Sequence, residues 1–291
     1  MNFNEKGALR ALKENIMKVK YLGTAAAEGV PALFCECDNC KKSRALGGKN
    51  IRTRSQALVN DDLLIDFPAD TYMHYVQYNF PLNKIKHCLI THSHSDHLYP
   101  ADLEMRIEGF AHLEDKEPLI FYSDLSGYEM IKAEIQKRNM KEVEVRLIEL
   151  NKPFLVNGYT VTAIRAAHGA NSSPVVFIIE KDGKIFFYSN DTSEYPEESW
   201  AYLKTLNKPF DVISLDCTEA CGKCTYVGHL TLDRCAALRD ELKRVGVANE
   251  NTRFILNHFS HNGINVVYDD FVKIAGAKGF DVAYDGMEIE F

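Results

Sequence analysis

The stretch Thr91-His92-Ser93-His94-Ser95-Asp96-His97-Leu98 constrains this chain more than any other. Three histidines and a carboxylate fall within six residues, directly behind the apolar run Cys88-Leu89-Ile90. Such a run reads as a buried strand, so the histidines emerge where that strand ends. Residues two apart in extended backbone point the same way, which lets His92 and His94 grip one cation. Asp96 and His97 are adjacent, diverge, and suit a second cation. Neutral imidazole and carboxylate are the usual ligands of zinc, manganese and iron. A plain polar loop is the competing reading of such a motif.

The remainder of the chain agrees with a metal protein. Cys35, Cys37 and Cys40 lie within six residues, a knuckle that needs one more ligand to close a tetrahedral zinc site. Eight cysteines without an export signal point to a reducing compartment, by default the cytoplasm, and to metal rather than disulfides. The segment from Met1 to Ile16 carries Glu5, Lys6, Arg10, Lys13 and Glu14 and so is no signal peptide. Leu9, Leu12 and Ile16 recur at helical spacing and predict a short helical extension over 1–16. A net charge of −7 argues against a large nucleic-acid surface. With 46% hydrophobic residues the 291-residue chain has ample core material, and no run is long enough to span a membrane. No linker or repeat interrupts it, so one domain over 1–291 is expected.

Strands are predicted over 17–22, 143–150, 159–164, 211–215 and 254–256, with hairpins turning at Asn60-Asp61-Asp62 and at Asp182-Gly183. The small-residue segment from Gly23 to Pro31 lacks the spacing of a phosphate-binding loop and reads as a tight loop at a sheet edge. Leu103, Ile107 and Phe110, and likewise Met130, Ile131 and Ile135, form helical stripes expected in the core. Leu232, Leu238 and Leu242 form a third. His74, His87 and His112 lack partners in sequence and are expected to be structural. Cys217, Cys221 and Cys224 have the Cys-x3-Cys-x2-Cys spacing of some iron–sulfur ligands. They are read as plain thiols or a further metal site.

The His-x-His-x-Asp-His run resembles the signature of the metallo-β-lactamase superfamily. That resemblance implies an α/β fold, a four-layer αβ/βα sandwich with one or two metals at an edge of its paired sheets. Gly-Val-Pro followed by Cys-x-Cys-x-x-Cys is similar to the branch that contains the phosphoribosyl 1,2-cyclic phosphate phosphodiesterases and the pyrroloquinoline-quinone biosynthesis proteins. The segment from Tyr284 to Ile289 is also similar to the phosphodiesterases.

Carried over residue by residue, the resemblance puts His92, His94 and His168 on one divalent metal and Asp96, His97 and His258 on another, with Asp191 bridging them. Asp66 orients the histidines from behind, His229 stands over the metals as proton donor or phosphate stabiliser, and His261 completes the zinc knuckle. The implied activity is hydrolysis of a small cyclic or nucleotide-like phosphodiester by metal-activated hydroxide. The competing activities are a thioesterase or lactonase, a tRNA 3′-processing nuclease, and a non-catalytic metal-binding biosynthesis protein. No membrane partner is expected, and monomer and homodimer both stay open.

Overall fold

The computed structural model, which describes residues 15–169, 173–222, 227–263 and 267–291, stacks two mixed sheets of seven strands. The first holds β1 (Lys18–Gly23), β2 (Gln56–Val59), β3 (Leu63–Ile65), β4 (His87–Leu89), β5 (Leu119–Ser123), β6 (Val143–Leu147) and β14 (Glu288–Glu290). Their order is β14-β1-β2-β3-β4-β5-β6, parallel from β3 to β6. The second holds β7 (Phe154–Val156), β8 (Tyr159–Arg165), β9 (Val175–Lys181), β10 (Lys184–Ser189), β11 (Val212–Asp216), β12 (Arg253–Asn257) and β13 (Asp281–Val282). Its order is β13-β12-β11-β10-β9-β8-β7, parallel from β10 to β13.

Alternation along the strands sets the layers, because successive side chains leave opposite faces of a sheet. Ala57 and Val59, Leu63 and Ile65, Phe177 and Ile179, Phe186 and Tyr188 all pack between the sheets. The intervening Leu58 and Leu64 turn to the outer face of the first sheet, where Ile131 of α3 (Leu125–Arg138) covers them. Ile178, Phe187, Ile213 and Leu256 turn to the outer face of the second. There they meet α4 (Glu197–Leu206), α5 (Leu232–Arg244) and α6 (Tyr268–Gly276) through Leu203, Leu238 and Phe271. Helix, sheet, sheet and helix make the expected αβ/βα sandwich. Two further helices, α1 (Asp38–Leu46) and α2 (Thr71–Tyr78), carry no strong periodic signal in sequence.

Both hairpins turn where predicted. Asp182 and Gly183 take the positive φ that a two-residue turn demands, and Asn60 and Asp61 take it in the three-residue turn between Val59 and Leu63. Two core expectations need correction. The segment Pro100–Arg106 is a 3-10 helix, so its three-residue period points Leu103 inward but does not continue an α-helical stripe. Phe110, expected in the core, is 62% exposed beyond it. In α3 the adjacent Met130 and Ile131 cannot share a face; Ile131 is buried and Met130 is 38% exposed. The helix expected over 1–16 lies almost wholly outside the described residues.

Candidate metal centre

Six chain segments end at one edge of the sandwich and deliver the polar residues there. Asp66 follows β3, the Thr91–His97 run follows β4, and His168 follows β8. Asp191 follows β10, Asp216 closes β11, and His258 follows β12. Asp66, Asp191 and His258 have φ of 66°, 52° and 63°, in the left-handed region. Asp and His tolerate that region better than most residues, and the bend swings each side chain off its strand axis into the cluster.

The ligating atoms converge. His94 Nδ1 lies 3.0 Å from His92 Nε2 and 3.2 Å from His168 Nε2. His97 Nε2 lies 3.2 Å from Asp96 Oδ2 and 3.0 Å from Asp191 Oδ2, and His258 Nε2 lies 2.9 Å from that same Asp191 oxygen. Asp191 Oδ1 is 3.6 Å from His168 Nε2, so this one carboxylate spans both groups of histidines.

The other nitrogen of His97, His258 and His168 is held from behind. His97 Nδ1 stands 2.7 Å from Asp66 Oδ2, and a carboxylate oxygen can only accept, so the proton sits on Nδ1. His258 Nδ1 meets Thr218 Oγ1 at 2.8 Å, and His168 Nδ1 meets the Gly228 carbonyl at 3.3 Å. That arrangement turns the three Nε2 atoms toward the cluster.

These residues fit divalent cations. Among the described residues, buried His97 Nε2, His258 Nε2 and Asp191 Oδ2 make no well-aligned hydrogen bond despite their proximity, because all point at a common space. The metal-free cluster also seeks positive charge. Burial would lower the pKa of His97, yet Asp191, Asp96 and Asp66 hold it well above the ordinary histidine value. Burial would raise Asp191, yet His258 and His97 hold it well below the carboxylate range.

The knuckle assembles as a second group. The ligand atoms of Cys35, Cys37, Cys40 and His261 lie within 4.8 Å of one another. His261 Nδ1 is 3.5 Å from both Cys35 Sγ and Cys37 Sγ. A tetrahedron built on usual zinc–sulfur and zinc–nitrogen bonds has a sulfur–nitrogen edge of about 3.6 Å. Backbone amides of Cys37, Cys40 and Ala32 donate to the three sulfurs. The His261 contact and the Cys40 amide pull the Cys37 thiol down to about 6. Of the other thiols, Cys217 is buried, Cys221 is exposed and Cys224 lies outside the described residues. His74 is structural as expected, wedged between Gln56 Oε1 and Thr53 Oγ1 at 2.7 Å each.

Sequence reasoning gave no role to Asp216. Its fully buried carboxylate accepts from the Thr218 and Leu230 amides and the Thr218 hydroxyl, and stands 2.9 Å from His229 Nδ1. Burial lowers the pKa of His229, but the Asp216 charge dominates and lifts it to about 9. His229 and the ligand cluster line a cavity of about 430 Å³ that also takes in Ala26, Ala27, Glu28 and Glu219. A larger cavity of about 520 Å³ beside Arg106 and His112 holds none of these groups.

A family model for the beta-lactamase superfamily domain matches residues 65–259, and the chain belongs to that superfamily. Fold and ligand cluster together are those of a metal-dependent hydrolase. Among solved structures it is similar to a diphosphatase of the PhnP family (20% identity, TM-score 0.73, covering 95% of this chain and 97% of that one). It is similar also to zinc-bound PqqB from Methylobacterium extorquens (22%, 0.73, covering 94% and 99%). The short form of human tRNase Z is a third (17%, 0.64, covering 94% and 98%). At these identities the likeness establishes the fold. No curated protein sequence matches significantly. Among the described residues no helix is long and apolar enough to cross a membrane.

Proposed function

We propose that the protein is a dinuclear metal-dependent phosphodiesterase acting on a small cyclic or nucleotide-like phosphodiester. His92, His94 and His168 would hold one cation, Asp96, His97 and His258 the other, with Asp191 shared between them. Zinc, manganese and iron all suit this donor set, and the cysteine knuckle suits a structural zinc. When bound, such a cation pair lowers the pKa of water and neutralises charge developing on phosphoryl oxygens.

The chain's own residues do the rest. Asp66, Thr218 and the Gly228 carbonyl fix the imidazoles in one tautomer, so the cluster needs no rearrangement when it is loaded. The observation that carries the phosphodiester reading is the His229–Asp216 pair at 2.9 Å on the cavity wall. Asp216 accepts from His229 Nδ1 and so holds the imidazole on the cavity wall, where it can pass a proton to an alkoxide leaving group, which needs one. A thiolate leaves without one, because it is a far weaker base than an alkoxide, its conjugate thiol having a pKa of about 8.5. The pair therefore favours a diester over a thioester.

Metal-loaded protein should hydrolyse bis-p-nitrophenyl phosphate, and Asp191→Ala should abolish the turnover with the fold kept. His229→Gln should lose about 10²–10⁴-fold on a 2′,3′-cyclic nucleotide, whose alkoxide needs a donor. It should lose far less on the nitrophenyl ester, whose phenolate does not. Equal losses on the two substrates would remove the donor role, and an inert parent with zinc, manganese and iron would sink the phosphodiesterase reading.

A further inference from the structure

The cavity over the metal cluster has a wall composition at odds with a polyphosphate ligand. Its described lining residues include two carboxylates that are not candidate ligands, Glu28 and Glu219, and neither lysine nor arginine. Glu219 is only 9% exposed. Among the described residues its carboxylate takes no hydrogen bond and no ion pair. Glu28 Oε1 accepts from Ser260 Oγ at 2.5 Å and stands 3.7 Å from His261 Nε2, while Oε2 takes no hydrogen bond among the described residues. Arg54, which reaches this loop, is engaged elsewhere: its Nε donates to the Ala27 carbonyl at 2.8 Å and it pairs with Asp70 at 3.1 Å.

A carboxylate that lines a cavity without a protein donor depends on what fills the cavity for its hydrogen bonds, and a second one on the same wall adds to that demand. Both are relieved by a ligand that brings hydroxyl or ammonium donors. A ligand that brings another phosphate meets like charge on the cavity wall. The metal cluster takes up the one phosphoryl group that reacts and His229 faces its leaving group, so among the described lining residues a further anion meets Glu28 and Glu219 with no lysine or arginine to offset them.

We infer, resting on the phosphodiesterase reading, that Glu28 and Glu219 are specificity determinants. The substrate is a phosphodiester whose non-reacting part presents hydroxyl or ammonium donors and carries no second phosphate.

Calorimetric binding of 3′-AMP and of adenosine 3′,5′-bisphosphate to the metal-loaded protein tests this, since the two differ only at the 5′ position. The parent should bind 3′-AMP at least ~10-fold more tightly. Glu219→Gln and Glu28→Gln, whose amides can donate as well as accept, should each narrow that ratio, and together bring it to within ~3-fold. Equal or tighter binding of the bisphosphate by the parent overturns the inference without recourse to any variant. So does an unchanged ratio in the folded double variant. Hydrolysis of bis-p-nitrophenyl phosphate separates the two levels. Diesterase activity without the binding preference refutes the inference alone, whereas the preference without activity supports the carboxylates' role and refutes the phosphodiesterase reading.

Discussion

Asp66→Asn tests how the protein fixes its ligands from behind. The Asp66 side chain is fully buried. Oδ1 accepts from the Thr91 amide at 2.8 Å and the Thr91 hydroxyl at 2.9 Å, and Oδ2 lies 2.7 Å from His97 Nδ1. Asparagine has the same shape and tolerates the left-handed backbone, so the fold has no steric reason to change. One oxygen must become an NH2, however. Turned toward Thr91, the amide faces another amide donor, an unsatisfied arrangement that costs about 1–3 kcal/mol. Turned toward His97, it forces Nδ1 to accept and drives the proton onto Nε2, the atom aimed at Asp96 and Asp191.

Either outcome weakens the cluster. Outer partners of metal-bound histidines are worth 10–100-fold in affinity, or ~1.4–2.8 kcal/mol. Chelator competition should therefore show that loss for one of the two cations proposed, with urea unfolding of the metal-free variant weakened by about 1–3 kcal/mol. Nitrogen-15 NMR of the imidazoles tells the two orientations apart, with the His97 proton moved to Nε2 only where the amide turns toward His97. A variant that binds both metals as tightly as the parent, with Nδ1 still protonated, would refute the reasoning.

Cys37→Ser should remove one zinc per chain and lower Tm, at ~2–4 °C for each kcal/mol lost, because a structural zinc contributes directly to folding. An unchanged Tm with one fewer zinc would contradict this. His74 supplies a pH signature away from the metals: burial pushes it down to about 4. As pH falls from 6.5 to 4 the unfolded chain takes up a proton that the folded chain refuses, so stability is lost across that window, by about 3 kcal/mol. Asp285 acts oppositely, since burial raises it to about 6 and folded protein gains stability as pH falls below that value. The clean measurement is the difference in unfolding free energy between parent and His74→Gln. It should decline by about 3 kcal/mol from pH 6.5 to 4, and parallel curves would rule it out.

Much of this was legible in the chain because strands announce themselves by alternation and the ligands sit at their ends. Leu-Leu-Ile-Asp66 and Val-Ile-Ser-Leu-Asp216 show the same pattern, an apolar run closed by a carboxylate. The first was read as supporting the histidines, and the second could have been found by the same rule. Glu28 and Glu219 carry no local signal, since their meaning comes only from sharing a cavity across distant loops. Phe110 failed for a different reason. Its spacing assumed 3.6 residues per turn where Pro100 opens a 3-10 segment. Helices α1 and α2 were missed because tertiary contacts, rather than periodicity, define them.

The knuckle joins the two ends of the chain, with 224 residues separating Cys37 from His261. At ~5–20 residues per second of synthesis, roughly 10–45 s pass between the making of the thiols and the arrival of their fourth partner. Throughout that interval the nascent chain presents a three-thiol chelate that is open on one side. Soft metals such as copper(I) or cadmium can enter then and be locked in when His261 closes the site. The metal recovered from the knuckle would thus record what was free at the ribosome during translation, and expression in zinc-poor, copper-supplemented medium should change its identity without changing the sequence.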